Sequence, residues 1–423
     1  MPFTTLGLAP ELLPAFSRAL DAAGYTAPTA IQAQAIAPIL RGDDVLACAA
    51  TGSGKTAAFA LPLLQRAALA PASRRVRGLV LVPTRELAAQ VGDTLQALGR
   101  YLPRRVKVAT VAGGASINPQ MLKLRGGADI VVATPGRLLD LVAHNAVQLG
   151  AVGTLVLDEA DRLLALGFEA ELGRILALLP RRRQTLLFSA TFPAEVEALA
   201  QRVMRGPRRI GEDAAAAAPA TIRQRAIEVD SAQRTALLRH LLHSEAWPQA
   251  LVFVSSQRGA DNLAEKLSKA GLLAQPFHGE LSQGRRNQAL AGFRSGQVQV
   301  LVATDVAARG LDIAQLPVVV NYDLPRATAD YTHRIGRTGR AGADGLAVSF
   351  VDAASEAHLR LIEKRQRLRV PRERIAGFEP TQTDAPAAAT AAQTGGIKGK
   401  RPSKKDKLRA ANAQGGGALP AKE

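Results

Sequence analysis

The chain has 423 residues, 47% of them hydrophobic, which at roughly 150 residues per domain is material for two or three cored domains and excludes a small disulfide-stapled scaffold. Lys and Arg number 54 against 36 Asp and Glu, a formal charge of +18 that favours a polyanionic partner. No run approaches the roughly 18–20 apolar residues of a membrane span, the start lacks a basic-then-apolar leader, and a single cysteine, Cys48, makes neither an intrachain disulfide nor a cysteine-based zinc site. A cytoplasmic protein with no membrane insertion is expected.

Short apolar runs of strand character fall at 45–49, 78–82, 106–111, 130–133, 154–157 and 185–188, separated by longer helical patterns. The rhythm restarts at 226–229, 251–254, 298–303, 318–321 and 346–351, so two α/β domains with parallel sheets are expected, over 1–210 and 221–370. Between them, residues 211–220 contain five consecutive alanines and Pro219, with nothing large to bury, and read as a linker. Residues 371–423 read as a basic, largely disordered tail: from Pro380 onward large apolar side chains nearly vanish, and eight Lys/Arg against three Asp/Glu carry +5 of the net charge. The remaining +13 belongs to the domains.

Directly after the first strand comes Ala49-Ala50-Thr51-Gly52-Ser53-Gly54-Lys55-Thr56, a P-loop pattern with alanine in place of its first glycine. Gly52 and Gly54 let backbone N–H groups curl round phosphates, Lys55 neutralises the β/γ oxygens, and the Thr56 hydroxyl is suited to Mg²⁺. The strand at 154–157 ends in Asp158-Glu159-Ala160-Asp161, which puts carboxylates at the carboxyl end of a buried strand, where open α/β sheets bind ligands. Asp158 is the expected holder of Mg²⁺ through its water shell, and Glu159 the group that orients and deprotonates the attacking water.

With its motifs in this order from about Phe3 to Arg369, the sequence resembles the DEAD-box ATP-dependent RNA helicases, and the stretch from Ser116 to Gly127 resembles their bacterial RhlE-type branch. The resemblance implies two tandem RecA-like P-loop domains, with ATP and Mg²⁺ bound. It implies that Gln32, in the run Gly24 to Gln32, bonds the adenine edge, that Phe3 stacks on the base, and that Asp312 contacts the ribose. Arg337 and Arg340, in the run Tyr331 to Arg340, resemble the arginine fingers that reach the γ-phosphate from the second domain.

Thr84, Arg85, Gly113, Gly114, Thr134 and Arg137 in the first domain, with Gln283, Arg286 and Thr304 in the second, match the family's RNA contacts. Hydroxyls, guanidinium groups and glycine amides suit a sugar–phosphate backbone, so weak sequence preference is expected, although the same Thr and Gly residues also serve helix caps and turns. Ser189 and Thr191, beside Asp161, with His333 from the second domain, resemble the segment that couples hydrolysis to strand separation. The implied function is ATP-driven local unwinding of short RNA duplexes; the alternative is an ATP-gated RNA clamp or annealing chaperone that unwinds little. Expected partners are single-stranded and short duplex RNA, with ribosome-assembly or RNA-decay proteins as further candidates, and the protein is expected to act as a monomer.

Overall fold

In the computed structural model, which describes residues 2–49, 52–71, 74–211, 222–308, 316–339 and 344–381, the strands assemble into two seven-stranded sheets. The first holds β1 (Val45–Cys48), β2 (Gly78–Leu81), β3 (Val108–Val111), β4 (Ile130–Ala133), β5 (Thr154–Leu157), β6 (Gln184–Ser189) and β7 (Arg208–Ile210), in the order β3-β4-β2-β5-β6-β1-β7. The second holds β8 (Ile222–Glu228), β9 (Ala250–Val254), β10 (Ala274–Phe277), β11 (Val300–Thr304), β12 (Val318–Asn321), β13 (Gly345–Val351) and β14 (Arg372–Glu373), in the order β10-β11-β9-β12-β13-β8-β14. Every pairing is parallel. Both sheets belong to one compact unit that ends at Thr381.

Central strands such as β2, β4 and β5 are buried at every position because helices cover both faces, which is why they read as unbroken apolar runs rather than alternations. Successive side chains still go to opposite faces. Val80 and Val156 join the core that holds the helices Lys55–Leu69 and Arg85–Leu98, whereas Leu79, Leu81, Leu155 and Leu157 join the core beneath the helices at 135–143, 160–165, 169–178 and 194–203. The second sheet repeats this with Val252 and Val320 on one side and Leu251, Phe253 and Val319 on the other.

Register decides where chemistry can happen. Leu81 pairs with both Ala133 and Leu157, Val111 with Ala133, Leu157 with Leu187, and Cys48 with Ser189. The segments that follow β1 to β6 therefore all leave the first sheet along the same carboxyl edge.

Three strands lie outside the sequence expectation, and each is at or near a sheet edge. β10 contains Gln275 and Pro276, and proline is tolerated there because an edge strand needs no second ladder. β7 begins with two exposed arginines, the charged dressing of an edge. β14 corrects the placement of the tail at 371: Arg372 and Glu373 pair with Ala226 and Ile227, and Phe378 packs on the His240 ring with centroids 5.3 Å apart. The expected linker, apart from Gly211, and the tail beyond Thr381 lie outside the described residues.

Candidate functional site

The first sheet delivers the phosphate-binding segment. β1 ends at Cys48, the N–H of Ala49 donates to the carbonyl of Ser189 (3.0 Å), and the chain turns through Gly52 (φ 87°) and Gly54 (φ 94°) into the helix starting at Lys55. Two left-handed residues so close together are accessible mainly to glycine, which explains the spacing. Lys55 is buried, and neither its Nζ nor the buried Ser53 Oγ has a hydrogen-bond partner among the described residues. Unpaired buried donors at a helix N-terminus are suited to an anion. Thr56 sits one residue into that helix, half-buried; Ala50 and Thr51 lie outside the described residues.

Gln32 is fully buried on the helix Ala30–Arg41. Its Oε1 accepts from the Thr29 N–H (2.9 Å) and its Nε2 donates to the carbonyl of Gly54 (3.1 Å), so it ties a capping box to the phosphate loop. Phe3 is buried in the core of the first domain, with its ring edge-on to Tyr25, the centroids 6.4 Å apart. The structure thus engages both residues with protein groups. Asp312 and Arg340 lie outside the described residues.

Asp158 and Glu159 follow β5. The N–H of Asp158 donates to Leu81 O (3.0 Å), which holds the turn against β2, and Asp158 Oδ1 accepts from the N–H of Glu159 (2.9 Å). Glu159 sits at φ 51°, ψ 53°, an uncommon backbone state for a residue with a side chain and one that concentrates at functional sites. Burial pushes the Asp158 carboxyl up to about 6, against the pull of the Lys55 ammonium. Burial would raise Glu159 as well, but Arg162, then Lys55, Arg337 and His333, hold it below its ordinary value. Arg337 and His333 belong to the other sheet's domain, so the two domains meet at this carboxylate. Arg162, Phe253, Asp305, His333 and Arg337 line the narrow gap between them.

No group of three or more His, Cys, Asp or Glu side chains among the described residues forms a cage for a metal ion. The chemistry of the donor set fits Mg²⁺ all the same, because that ion keeps several waters and takes only one or two carboxylates plus substrate phosphates. A buried carboxyl raised to about 6 beside an unpaired lysine is such a partial site.

The expected coupling residues are brought together. Asp161 Oδ2 accepts from the N–H (3.1 Å) and hydroxyl (2.8 Å) of Thr191; the Asp161 N–H donates to Ser189 Oγ (3.2 Å), whose hydroxyl donates to Thr191 O (2.7 Å). His333 reaches the same region, and burial above all lowers its pKa, with Arg162 adding to the fall and the Asp330 carboxylate opposing it. It is therefore neutral at pH 7.

The expected RNA contacts gather at the carboxyl edge of β2, β3 and β4. Thr84 caps the helix Arg85–Leu98 by accepting from the Leu87 N–H, so its hydroxyl is used structurally. The Arg85 guanidinium lies against Gly114, where a Cβ would come within 1.8 Å of Nη1. The Gly113 N–H donates to Thr134 Oγ1 (3.3 Å), and Arg137 Nη2 donates to Ala115 O (2.7 Å) while its buried Nη1 has no partner. In the second domain Thr304 ends β11, Gln283 Nε2 donates to Asn287 Oδ1 (2.9 Å), and Arg286 forms a 2.8 Å ion pair with Glu86 of the first domain. The sequence expectation assigned Arg286 to RNA; here it crosses between domains.

Two participants escaped sequence reading. Arg162 is buried, with Nε 3.6 Å from Glu159 Oε2, and its signal was the i,i+3 spacing of a carboxylate and an arginine. Arg334 forks onto Asp305 (2.6 and 2.7 Å) and lies over the Phe253 ring, which fixes the helix Thr328–Ile335 that presents His333.

A P-loop in the first of two RecA-like parallel-sheet domains, with Arg337 of the second domain close enough to Glu159 of the first to hold it below its ordinary pKa, defines a P-loop nucleoside triphosphatase of the two-lobed kind. The sequence matches the DEAD/DEAH box helicase model over residues 29–199 and the Helicase conserved C-terminal domain model over residues 233–342. It is 41% identical over 370 residues to the DEAD-box ATP-dependent RNA helicase CshA of Bacillus cereus, covering 88% of this chain and 69% of that one. Against CshA of Bacillus subtilis it is 40% identical over 383 residues, covering 90% and 75%. The fold is similar to S. cerevisiae Dbp5 bound to RNA and ADP BeF3, at TM-score 0.79 and 31% identity over 88% of this chain and 95% of that one. It is also similar to Mss116p bound to ssRNA and AMP-PNP, at TM-score 0.77 and 29% identity over 87% and 77%. The chain belongs to the DEAD-box ATP-dependent RNA helicases. These relatives carry the CshA name and do not place it in the RhlE-type branch.

Proposed function

We propose that this helicase hydrolyses ATP in the gap between its two lobes and that RNA, bound along the carboxyl edge of the first sheet, drives the lobes together. The observation that carries this reading is Glu159: a buried carboxylate on one lobe held ionised in part by the Arg337 guanidinium of the other, across a gap that Arg162 and Arg337 both line. Lys55 and the phosphate-loop amides hold the triphosphate, Gln32 and Phe3 line the base end, and Asp312 meets the ribose. Thr56 and Asp158 would hold Mg²⁺, which supplies charge neutralisation at the phosphates when bound. Glu159 accepts the proton of the attacking water, and Arg337 with Arg340 meets charge developing on the γ-phosphate.

Thr84, Arg85, Gly113, Gly114, Thr134, Arg137, Gln283 and Thr304 hold the sugar–phosphate backbone without reading bases, while Arg286 is taken by its ion pair with Glu86 of the first lobe. Asp161, Ser189, Thr191 and His333 transmit closure from one lobe to the other. One chain contains both halves of the site, so a monomer is the proposed working unit. The cytoplasm, where ATP and RNA meet, is the proposed setting.

Steady-state ATPase measurements with and without single-stranded RNA test the reading. RNA should stimulate turnover, Glu159→Gln should retain ATP binding while losing about 10²-fold or more in kcat, and Arg337→Ala about 10³-fold. Normal turnover by Glu159→Gln would remove the assignment of the base.

A further inference from the structure

We infer that the free edge of the first sheet carries a second nucleic-acid site, a basic groove that holds the phosphate backbone of RNA extending beyond the strand segment gripped between the lobes. The inference rests on the RNA-binding reading above and extends it to a surface that reading leaves unused.

β3 is the outer strand of its sheet, paired among the described residues with β4 alone. Its amino-terminal half, the end of the helix Arg85–Leu98 and the loop at 125–128 enclose a groove of about 900 Å³. Arg100, Arg105, Lys107 and Lys123 line it, all four exposed, and no Asp or Glu does. The nearby carboxylate of Asp129 is already consumed: it is buried and takes both Arg104 guanidinium nitrogens at 2.6 and 3.2 Å. Two of the cations are held in place, Lys107 by the carbonyl of Gly126 (3.1 Å) and Arg100 over the Tyr101 ring at 5.7 Å. Four positive charges, two of them held in place, with no Asp or Glu among the described lining residues, attract a polyanion along an open groove.

Continuity selects RNA over an acidic peptide as the occupant. The same strand that begins beside Lys107 ends beside Gly113 and Gly114, where the primary RNA surface lies. Six residues of extended chain span about 20 Å, roughly six nucleotides at the 3.4 Å spacing of a stacked strand. A strand leaving Gly114 and following the sheet edge arrives in the groove. The four exposed cations dominate the lining, so the contact is chiefly to phosphate and largely independent of sequence.

Binding of 8-nucleotide and 24-nucleotide single-stranded RNA, each with a non-hydrolysable ATP analogue, tests this on the full chain. The variant Arg105→Glu/Lys107→Glu/Lys123→Glu alters only exposed side chains. Wild type should bind the longer RNA at least tenfold more tightly at about 0.1 M salt. The variant should lose most of that gain while its 8-nucleotide affinity and 8-nucleotide-stimulated ATPase stay unchanged. In the corresponding Gln triple variant the salt slope for the longer RNA should fall by about 2, near 0.7 per lost phosphate contact.

A variant that keeps the full length-dependent gain overturns the inference, as does a wild type that shows none. Competition by a poly-glutamate peptide that the variant abolishes, with the RNA gain intact, would make the groove a protein-docking surface instead. Failure of wild type to bind or respond to the 8-nucleotide RNA would strike the primary reading, so the two failures are separable.

Discussion

Asp158 and Glu159 are sequence neighbours, both almost fully buried, and their acidities move in opposite directions. The difference is what each faces: Asp158 has Lys55 and two further carboxylates, Glu159 a ring of cations from both lobes. In the ligand-free protein this has a measurable cost. The folded Asp158 has a pKa of about 6 against about 3.9 unfolded, so the native state holds the extra proton between roughly pH 4 and 6, and stability falls as pH rises through that window. About two units correspond to no more than about 3 kcal/mol. Asp158→Asn should therefore raise the urea midpoint of the ligand-free protein at pH 7.5 and confer no gain below about pH 4. An advantage of equal size at both pH values would show that charge is not its cause. At Gly114 the constraint is steric: φ is +78° and a Cβ would meet the Arg85 guanidinium. Gly114→Ala should cost about 1 kcal/mol of stability and about tenfold in RNA affinity, with ATP affinity in the absence of RNA unchanged in a nucleotide-binding titration.

The helix Lys55–Leu69 shows how an element holds the site and how far its role was readable. Its first residue is Lys55, buried just after the glycine turn; three turns on, Arg66 donates to Thr154 Oγ1 (3.0 Å), Gln184 Oε1 (2.6 Å) and Ile39 O (2.7 Å). One guanidinium thus locks the helix to β5, to β6 and to the helix that carries Gln32, and burial lowers its pKa. Arg66→Ala strands those acceptors and should cost about 2–4 kcal/mol in chemical denaturation, and Arg66→Lys should restore little because it lacks the planar fork. Nothing in the sequence distinguished Arg66 from a solvated helix arginine, since its partners come from positions 27, 88 and 118 residues away. The phosphate loop, β5 and the acidic turn were legible because each is local: glycine spacing, an unbroken apolar run, carboxylates at its end. β7, β10 and β14 were not, because a short strand at or beside a sheet edge needs neither apolar continuity nor freedom from proline and charge. The cap formed by Thr84 was legible only as one of two readings, and its bond to the Leu87 N–H means that any RNA contact by its hydroxyl must share the oxygen with the helix.

At the scale of the whole molecule the question is what holds the lobes closed before hydrolysis. The ion pair between Glu86, in the first turn of the helix Arg85–Leu98, and Arg286, in the helix Gln283–Arg294, crosses between lobes with both side chains nearly buried. Burial, with Arg85 close by, works against the Arg286 charge, and Glu86 works for it. Such a pair costs desolvation to form, yet removing one partner strands the other, so the pair rewards closure only when both members are present. Arg286→Met and Glu86→Gln should each raise the RNA concentration needed for half-maximal ATPase stimulation by about tenfold or more, without altering ATP binding to the open form. Their effects should not add in the double variant, and the exchanged pair Glu86→Arg/Arg286→Glu should recover part of the loss. The competing role for Arg286, a direct RNA contact held back by Glu86, requires the opposite sign at Glu86: neutralising that carboxylate would release the guanidinium and tighten RNA binding. A titration of RNA against the ATPase rate of Glu86→Gln alone decides between a latch and a restrained RNA ligand, because the two arrangements differ in direction and not merely in size.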